Sequence, residues 1–118
     1  MTIKEYQAKA HEFADYPVGY MYTDDGVKLL NWIYPVSGLS EETGEYCGKI
    51  AKAFRDENGN ITEERKMLAA KELGDIAWFL AENCSVLGLD LEEVMKGNID
   101  KLTDRRKRNV IHGDGDLR

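Results

Sequence analysis

The chain has 118 residues, 32% of them charged, and a formal net charge of −6, so it holds one domain with a modest core. The acidic balance disfavours a nucleic-acid polymer as partner, which needs a broad basic surface. It leaves nucleotides open, because a divalent cation reverses the local sign of a carboxylate site.

In chain order, a short polar helix is expected over residues 3–14, ending where Pro17 and Gly19 disfavour continuation. Residues 20–34 are ambiguous: Asp24-Asp25-Gly26 reads as a turn, and residues 27–30 fit a short helical piece. A long helix is predicted over 35–55, with Pro35 at a position that tolerates proline. Residues 56–60 form a loop. It fails as a calcium loop, because Gly59 falls at the fourth position and Met67 stands where the twelfth-position acid belongs. A third helix follows over 62–87 and stops at Gly88, and Asp90, with Glu93 in capping-box position, opens a fourth that ends near Arg108. Residues 109–118 carry too many glycines for helix, and no strand alternation is convincing. The expected fold class is all-α, a four-helix antiparallel bundle forming a single domain over 1–118.

No apolar run is long enough to span a bilayer, and residues 1–14 lack the apolar stretch of a secretory signal. Cys47 and Cys84 share no metal-ligand spacing and read as reduced thiols. A cytoplasmic protein with no membrane partner is expected.

Carboxylates stand where apolar residues belong. On the second helix Leu39, Tyr46, Ile50 and Ala53 make the inward stripe; Glu42 falls on its margin and Glu45 lies three residues on, while Glu41 points farther toward the polar side. On the third, Leu68, Ala69, Leu73, Ile76, Phe79, Leu80 and Leu87 form the stripe; Glu72 falls inside it and Asp75 on its edge. Either acidic pair alone fits a solvated face. Two such pairs turned toward one interior call for a cation, since a buried unpaired carboxylate costs several kcal/mol. Four carboxylates with no nearby histidine or cysteine make a hard oxygen site suited to Mg²⁺, with Mn²⁺ as substitute, and hence to phosphoryl chemistry.

These residues resemble the MazG family of all-α nucleoside triphosphate pyrophosphohydrolases, whose motif is E-E-x-x-E, a spacer, then E-x-x-D. Here it stands as Glu41-Glu42-Thr43-Gly44-Glu45 and Glu72-Leu73-Gly74-Asp75, with 26 residues between Glu45 and Glu72. Glu5-Tyr6-Gln7, Tyr34-Pro35, Gly38-Leu39 and Leu87-Gly88-Leu89 also resemble segments of short members. The ending, from Asn98 onward, looks most like compact phage and bacterial ones. Residues 20–33 depart from that pattern, either as a wall of a base pocket or as a surface excursion.

The resemblance implies Mg²⁺-dependent cleavage of a nucleoside triphosphate between the α- and β-phosphates, giving a monophosphate and pyrophosphate. By position it makes Glu42, Glu45, Glu72 and Asp75 metal ligands; Glu41 matches the motif's first acid, but its place toward the polar side of the helix gives it the role of orienting or deprotonating the attacking water. Lys49 and Lys52 follow Glu45 on one side of the helix and serve either phosphate or ordinary surface pairing. Asn98 interrupts the fourth-helix stripe Leu91, Val94, Met95, Ile99 and Leu102, as a ligand contact or a satisfied tie between helices. Lys101 and Arg105 lie on an adjacent face, where the resemblance expects phosphate contacts. Trp32, Tyr34, Trp78 and Phe79 are candidates for stacking on a base, with Phe79 better read as core and Trp78 as a subunit interface or ligand wall. His11 and His112 carry no motif. A homodimer or homotetramer is expected, burying apolar surface of the third helix. The reading from a different class is a non-catalytic helical nucleotide-binding or interaction module.

Overall fold

The computed structural model describes residues 1–17, 20–26, 28–30 and 32–118. Four helices make the fold: α1 (Ile3–His11), α2 (Ile33–Asp56), α3 (Glu63–Val86) and α4 (Leu91–Lys107). Thr2 opens α1 with a full capping box, its side chain accepting from Glu5 N while Glu5 accepts from Thr2 N. The helix ends at His11, short of the expected residue 14, because its last turn tightens into bonds such as Phe13 N to Ala10 O. Gly19, part of the expected stop, lies outside the described residues, as do Val18, Val27 and Asn31.

The ambiguous stretch contains two short antiparallel strands, β1 (Tyr20–Tyr22) and β2 (Lys28–Leu30), with Met21 opposite Leu29. The short helical piece expected at 27–30 is therefore a strand at 28–30. Gly26, at φ 81°, supplies the left-handed residue of the connecting turn. The second helix starts two residues before Pro35, which still sits in the first turn, where a missing N–H removes no helical bond.

Asn58 and Gly59, both at positive φ, reverse the chain, and the Thr62 side chain caps α3 by accepting from Arg65 N. Arg65 pairs with Glu57, Lys49 with Glu72, and Asn83 donates to Pro35 O, so α2 and α3 run antiparallel along their whole length. They approach closely through Gly38, Ala53 and Ala69; a Cβ on Gly38 would meet the Phe79 ring at 2.2 Å.

The opposite side of α3 holds α1. Trp78 donates its indole N–H to Ala10 O, and Gln7 bonds Leu89 O and Leu91 N at the α3–α4 corner. Ala10, Ala81, Cys84 and Leu91 form the small core there. Trp78 is thus a tie between α1 and α3. Two buried faces also explain why Leu73, expected inside, is 49% exposed: it points to neither neighbour.

Asp90 caps α4 by accepting from Glu92 N and Glu93 N. The fourth helix leans on α1 at its start, and Val94, Met95, Ile99 and Leu102 remain exposed. The four-helix arrangement is accordingly splayed, with a radius of gyration of 18.1 Å, where a compact chain of this length has about 13.5 Å. Among the described residues no helix is long and apolar enough to cross a membrane. Cys47 and Cys84 are both free.

Candidate metal centre

On α2, half-buried Leu39, Tyr46 and Ile50 turn one face toward α3 and carry half-buried Glu42 at their margin. Glu45, one turn on, is exposed. On α3 Glu72 is only 9% exposed, set between buried Ala69 and Phe79 on the face that meets α2. One carboxylate oxygen from each of Glu42, Glu45 and Glu72 lies within 4.8 Å of the other two. Three acids from two helices therefore converge as the helical spacing required.

Asp75 stands outside that trio and is exposed, yet it acts on the same centre. It lies on α3 between the faces that meet α2 and α1. Burial raises the Glu42 carboxyl above its ordinary range, and the charge of Asp75, then of Glu45, Glu72 and Glu41, pushes it further in the same direction. Asp75 also helps raise the Tyr6 phenol on α1, after burial. Glu41 is exposed and weakest among the groups acting on Glu42, in keeping with a place outside the cluster.

The donor set fits a hard divalent cation. It offers carboxylate oxygens alone, holds Glu42 above the range of a free glutamate, and among the described residues has one ammonium paired with it for relief. That ammonium is Lys49 Nζ, 3.1 Å from Glu72 Oε1. Lys49 thus meets the cluster directly, while Lys52 is exposed and contributes to lowering the Asp56 carboxyl at the helix end.

The other expected contacts lie on α4. Asn98 is exposed and lines an apolar cavity of about 540 Å³ with Leu80, Leu91, Val94, Met95 and Ile99, so it is not a buried tie. Lys101 and Arg105 both reach Asp116 in the segment after α4. Near the start of α2, the Tyr34 ring packs at a tilt against both Tyr16 and Phe79, with ring centroids 5.0 and 5.6 Å away. Trp32 lines a cavity of about 290 Å³ with Ile33, Val36 and Ser37. Phe79 is core, as expected.

Sequence reasoning missed a second buried acid. Glu82, 0% exposed, accepts or shares a proton with His11 Nδ1 at 2.7 Å, pinning α1 to α3. The Tyr16 phenol is pushed up to about 12, first by burial and then by the charge of Glu82. Its hydroxyl and Glu82 Oε2 are buried without hydrogen-bond partners, so the two groups interact through space and not through a well-formed bond. The pairing spans 71 positions in the chain, and no local motif announces it. The available signal was Ala77, Trp78 and Ala81 on the supposed outer side of α3, since a helix apolar on two sides is buried on two sides.

An all-α fold with a carboxylate trio between two antiparallel helices defines a helical protein equipped to hold a divalent metal. Residues 35–110 match the family described as the MazG nucleotide pyrophosphohydrolase domain. The Gene 37 protein of Mycobacterium phage L5 is 36% identical over 118 residues, covering 100% of each chain. No solved structure matches. The chain belongs to the MazG nucleotide pyrophosphohydrolase family, and the matched segment contains all five motif acids.

Proposed function

We propose that this protein is a Mg²⁺-dependent nucleoside triphosphate pyrophosphohydrolase that cleaves between the α- and β-phosphates. The observation that carries the reading is the convergence of Glu42, Glu45 and Glu72 within 4.8 Å across two helices, inside the segment that matches the family. Glu42, Glu45, Glu72 and Asp75 would hold the metal, which when bound supplies polarisation of the phosphates and activation of water.

The chain's own residues do the rest. Glu41, exposed beside the cluster, accepts the proton of the attacking water. Lys49 neutralises Glu72 before substrate arrives and is near enough to the cluster to turn to a phosphate oxygen afterwards. Lys52, Asn98, Lys101 and Arg105 are the further substrate contacts, with the cations meeting phosphate oxygens. Half-exposed Trp32 and Tyr34 are the candidates for stacking on a base, Trp32 from the cavity it lines and Tyr34 from the part of its ring that Tyr16 and Phe79 leave open.

The protein acts as a homo-oligomer in the cytoplasm. Its accessible surface is 8783 Å², whereas a compact monomer of this mass exposes about 6,500 Å². The excess matches the area of an obligate interface. The apolar groove where Leu80 of α3 meets Val94, Met95 and Ile99 of α4 is the face for a second copy, because Val94, Met95, Ile99 and Leu102 stay exposed among the described residues. Light scattering after size exclusion should give a dimer or tetramer mass; a monomer at micromolar concentration would remove this part.

For the activity, the protein is incubated with each common ribo- and deoxynucleoside triphosphate plus Mg²⁺, and products are resolved by ion exchange. Monophosphate with pyrophosphate is expected from at least one substrate. Diphosphate with orthophosphate would overturn the bond assignment. No product from any, without a metal-dependent thermal shift, would leave a non-catalytic module.

A further inference from the structure

The acidic chain carries one strongly basic stretch: residues 101–118 hold Lys101, Arg105, Arg106, Lys107, Arg108 and Arg118 against three acids. Helix α4 ends inside it, and the chain turns back through Asn109, Gly113 and Gly115, all at positive φ. The returning segment lies on the helix it has just left. Arg105 is its anchor: 4% exposed, it donates from one terminal nitrogen to Asp116 O at 2.8 Å and to Gly115 O at 3.4 Å. Arg108 donates to Arg118 O at 2.9 Å.

Asp116 does something the backbone contacts do not require. Its Oδ1 sits 3.4 Å from the Arg105 guanidinium and 3.5 Å from Lys101 Nζ. One carboxylate oxygen thus bridges the two cations that face phosphate in the proposed activity. Both contacts are long, and Asp116 and Lys101 are exposed, so the bridge is weak and solvent-screened. Arg105 Nε, meanwhile, is buried without any partner. A guanidinium binds an oxyanion best through Nε and a terminal nitrogen together, and this carboxylate takes only the latter. The segment as folded leaves a donor that a phosphate could satisfy and Asp116 does not.

We propose that Asp116 is an internal stand-in for phosphate: its carboxylate holds Lys101 and Arg105 in the free protein and yields them to the polyphosphate of a nucleotide, releasing the strap formed by residues 109–118. The inference rests on the assignment of Lys101 and Arg105 as phosphate contacts. It concerns anion exchange alone, so it is separable from turnover. The attraction of Lys101, and next the hydrogen bond from Arg105, hold the Asp116 carboxyl below its usual range, so it stays ionised and competes throughout the neutral range.

The probe is inorganic pyrophosphate without metal, titrated by calorimetry. Asp116→Asn should bind it about five- to tenfold more tightly than wild type, as expected when one like charge leaves a surface ion site. Lys101→Ala should weaken binding in both backgrounds. Equal affinity of wild type and D116N, within about twofold, or no binding by either, overturns the proposal. Hydrogen exchange on the unaltered protein guards against a variant that merely frays. Saturating pyrophosphate should strip protection from the Asn109 and Val110 amides, which bond Arg106 O and Arg105 O at the base of the strap, and unchanged protection overturns the proposal as well. Failure of nucleotide turnover with this response intact would strike the catalytic reading and leave the strap standing.

Discussion

Neutralising Glu42 should make the metal-free protein more stable and the metal-loaded protein less so. Two carboxylate charges at the outer limit of 4.8 Å repel by about 0.9 kcal/mol at the dielectric of water and by about 3.5 kcal/mol at an effective dielectric near 20, and closer ones by more. Glu45 is exposed and lies near the lower figure; Glu72 is buried but partly neutralised by Lys49 at 3.1 Å. Glu42→Gln removes both repulsions and that of Asp75, while leaving a half-buried amide that recovers less hydration than a carboxylate. The net relief is about 1–2 kcal/mol, or roughly 4–8 °C for a chain of this size. The sign follows the raised Glu42 carboxyl: between the ordinary pKa and the raised one the folded chain keeps a proton that the unfolded chain has lost. Stability therefore falls as pH rises through that window, and the advantage of the variant disappears below it.

Thermal unfolding by circular dichroism, in chelator and then in excess Mg²⁺, reads both arms. Wild type should gain about 2.7 kcal/mol at a Mg²⁺ concentration a hundred times its Kd, and E42Q should gain little. The order of the two proteins then reverses between chelator and metal. A variant that melts below wild type in chelator and still responds fully to Mg²⁺ would refute the electrostatic account of the cluster.

Other perturbations probe the scaffold. Gly38→Ala places a Cβ 2.2 Å from the Phe79 ring and should cost about 1–3 kcal/mol in urea unfolding; no loss would mean that α2 and α3 are not held at that distance. His11→Ala leaves Glu82 buried without its partner and should cost on the order of 1–3 kcal/mol, largely recovered by adding Glu82→Gln. Additive losses in the double variant would dismiss the pair as a tie. Tyr16 keeps its proton in the folded chain to about 12, against 10.0 when unfolded, so stability should fall between those values by about 2–3 kcal/mol at most. Tyr16→Phe should flatten that loss, and an unchanged alkaline unfolding curve would disprove it.

The helices were legible because their signals are local. Thr62, Asp90 and Gly88 mark ends that the structure reproduces within a residue or two, and the acid motifs fall on faces fixed by helical spacing. Glu42, Glu45 and Glu72 come together for that reason, and Asp75 lies just beyond because one more turn of α3 carries it toward α1. What escaped depends on partners distant in sequence. A single-stripe reading of α3 placed Leu73 inside and passed over Glu82, because it assumed one neighbour where the helix has two. The strands at 20–22 and 28–30 are three residues each, too short for alternation to show. The contacts of Lys101 and Arg105 with Asp116 escaped because the chain's return onto α4 is written in glycine conformations, not in any periodicity.

The account stands most directly on pyrophosphate release by Glu72→Gln against wild type, measured at saturating Mg²⁺ with the best triphosphate. The substitution removes the acid held deepest between the two helices and keeps its shape. Loss of an outer partner of a metal ligand alone lowers activity 10–100-fold, so release should fall by about a hundredfold or more, with an unchanged helical spectrum. Turnover retained near the wild-type rate by the folded variant would contradict the proposed metal centre.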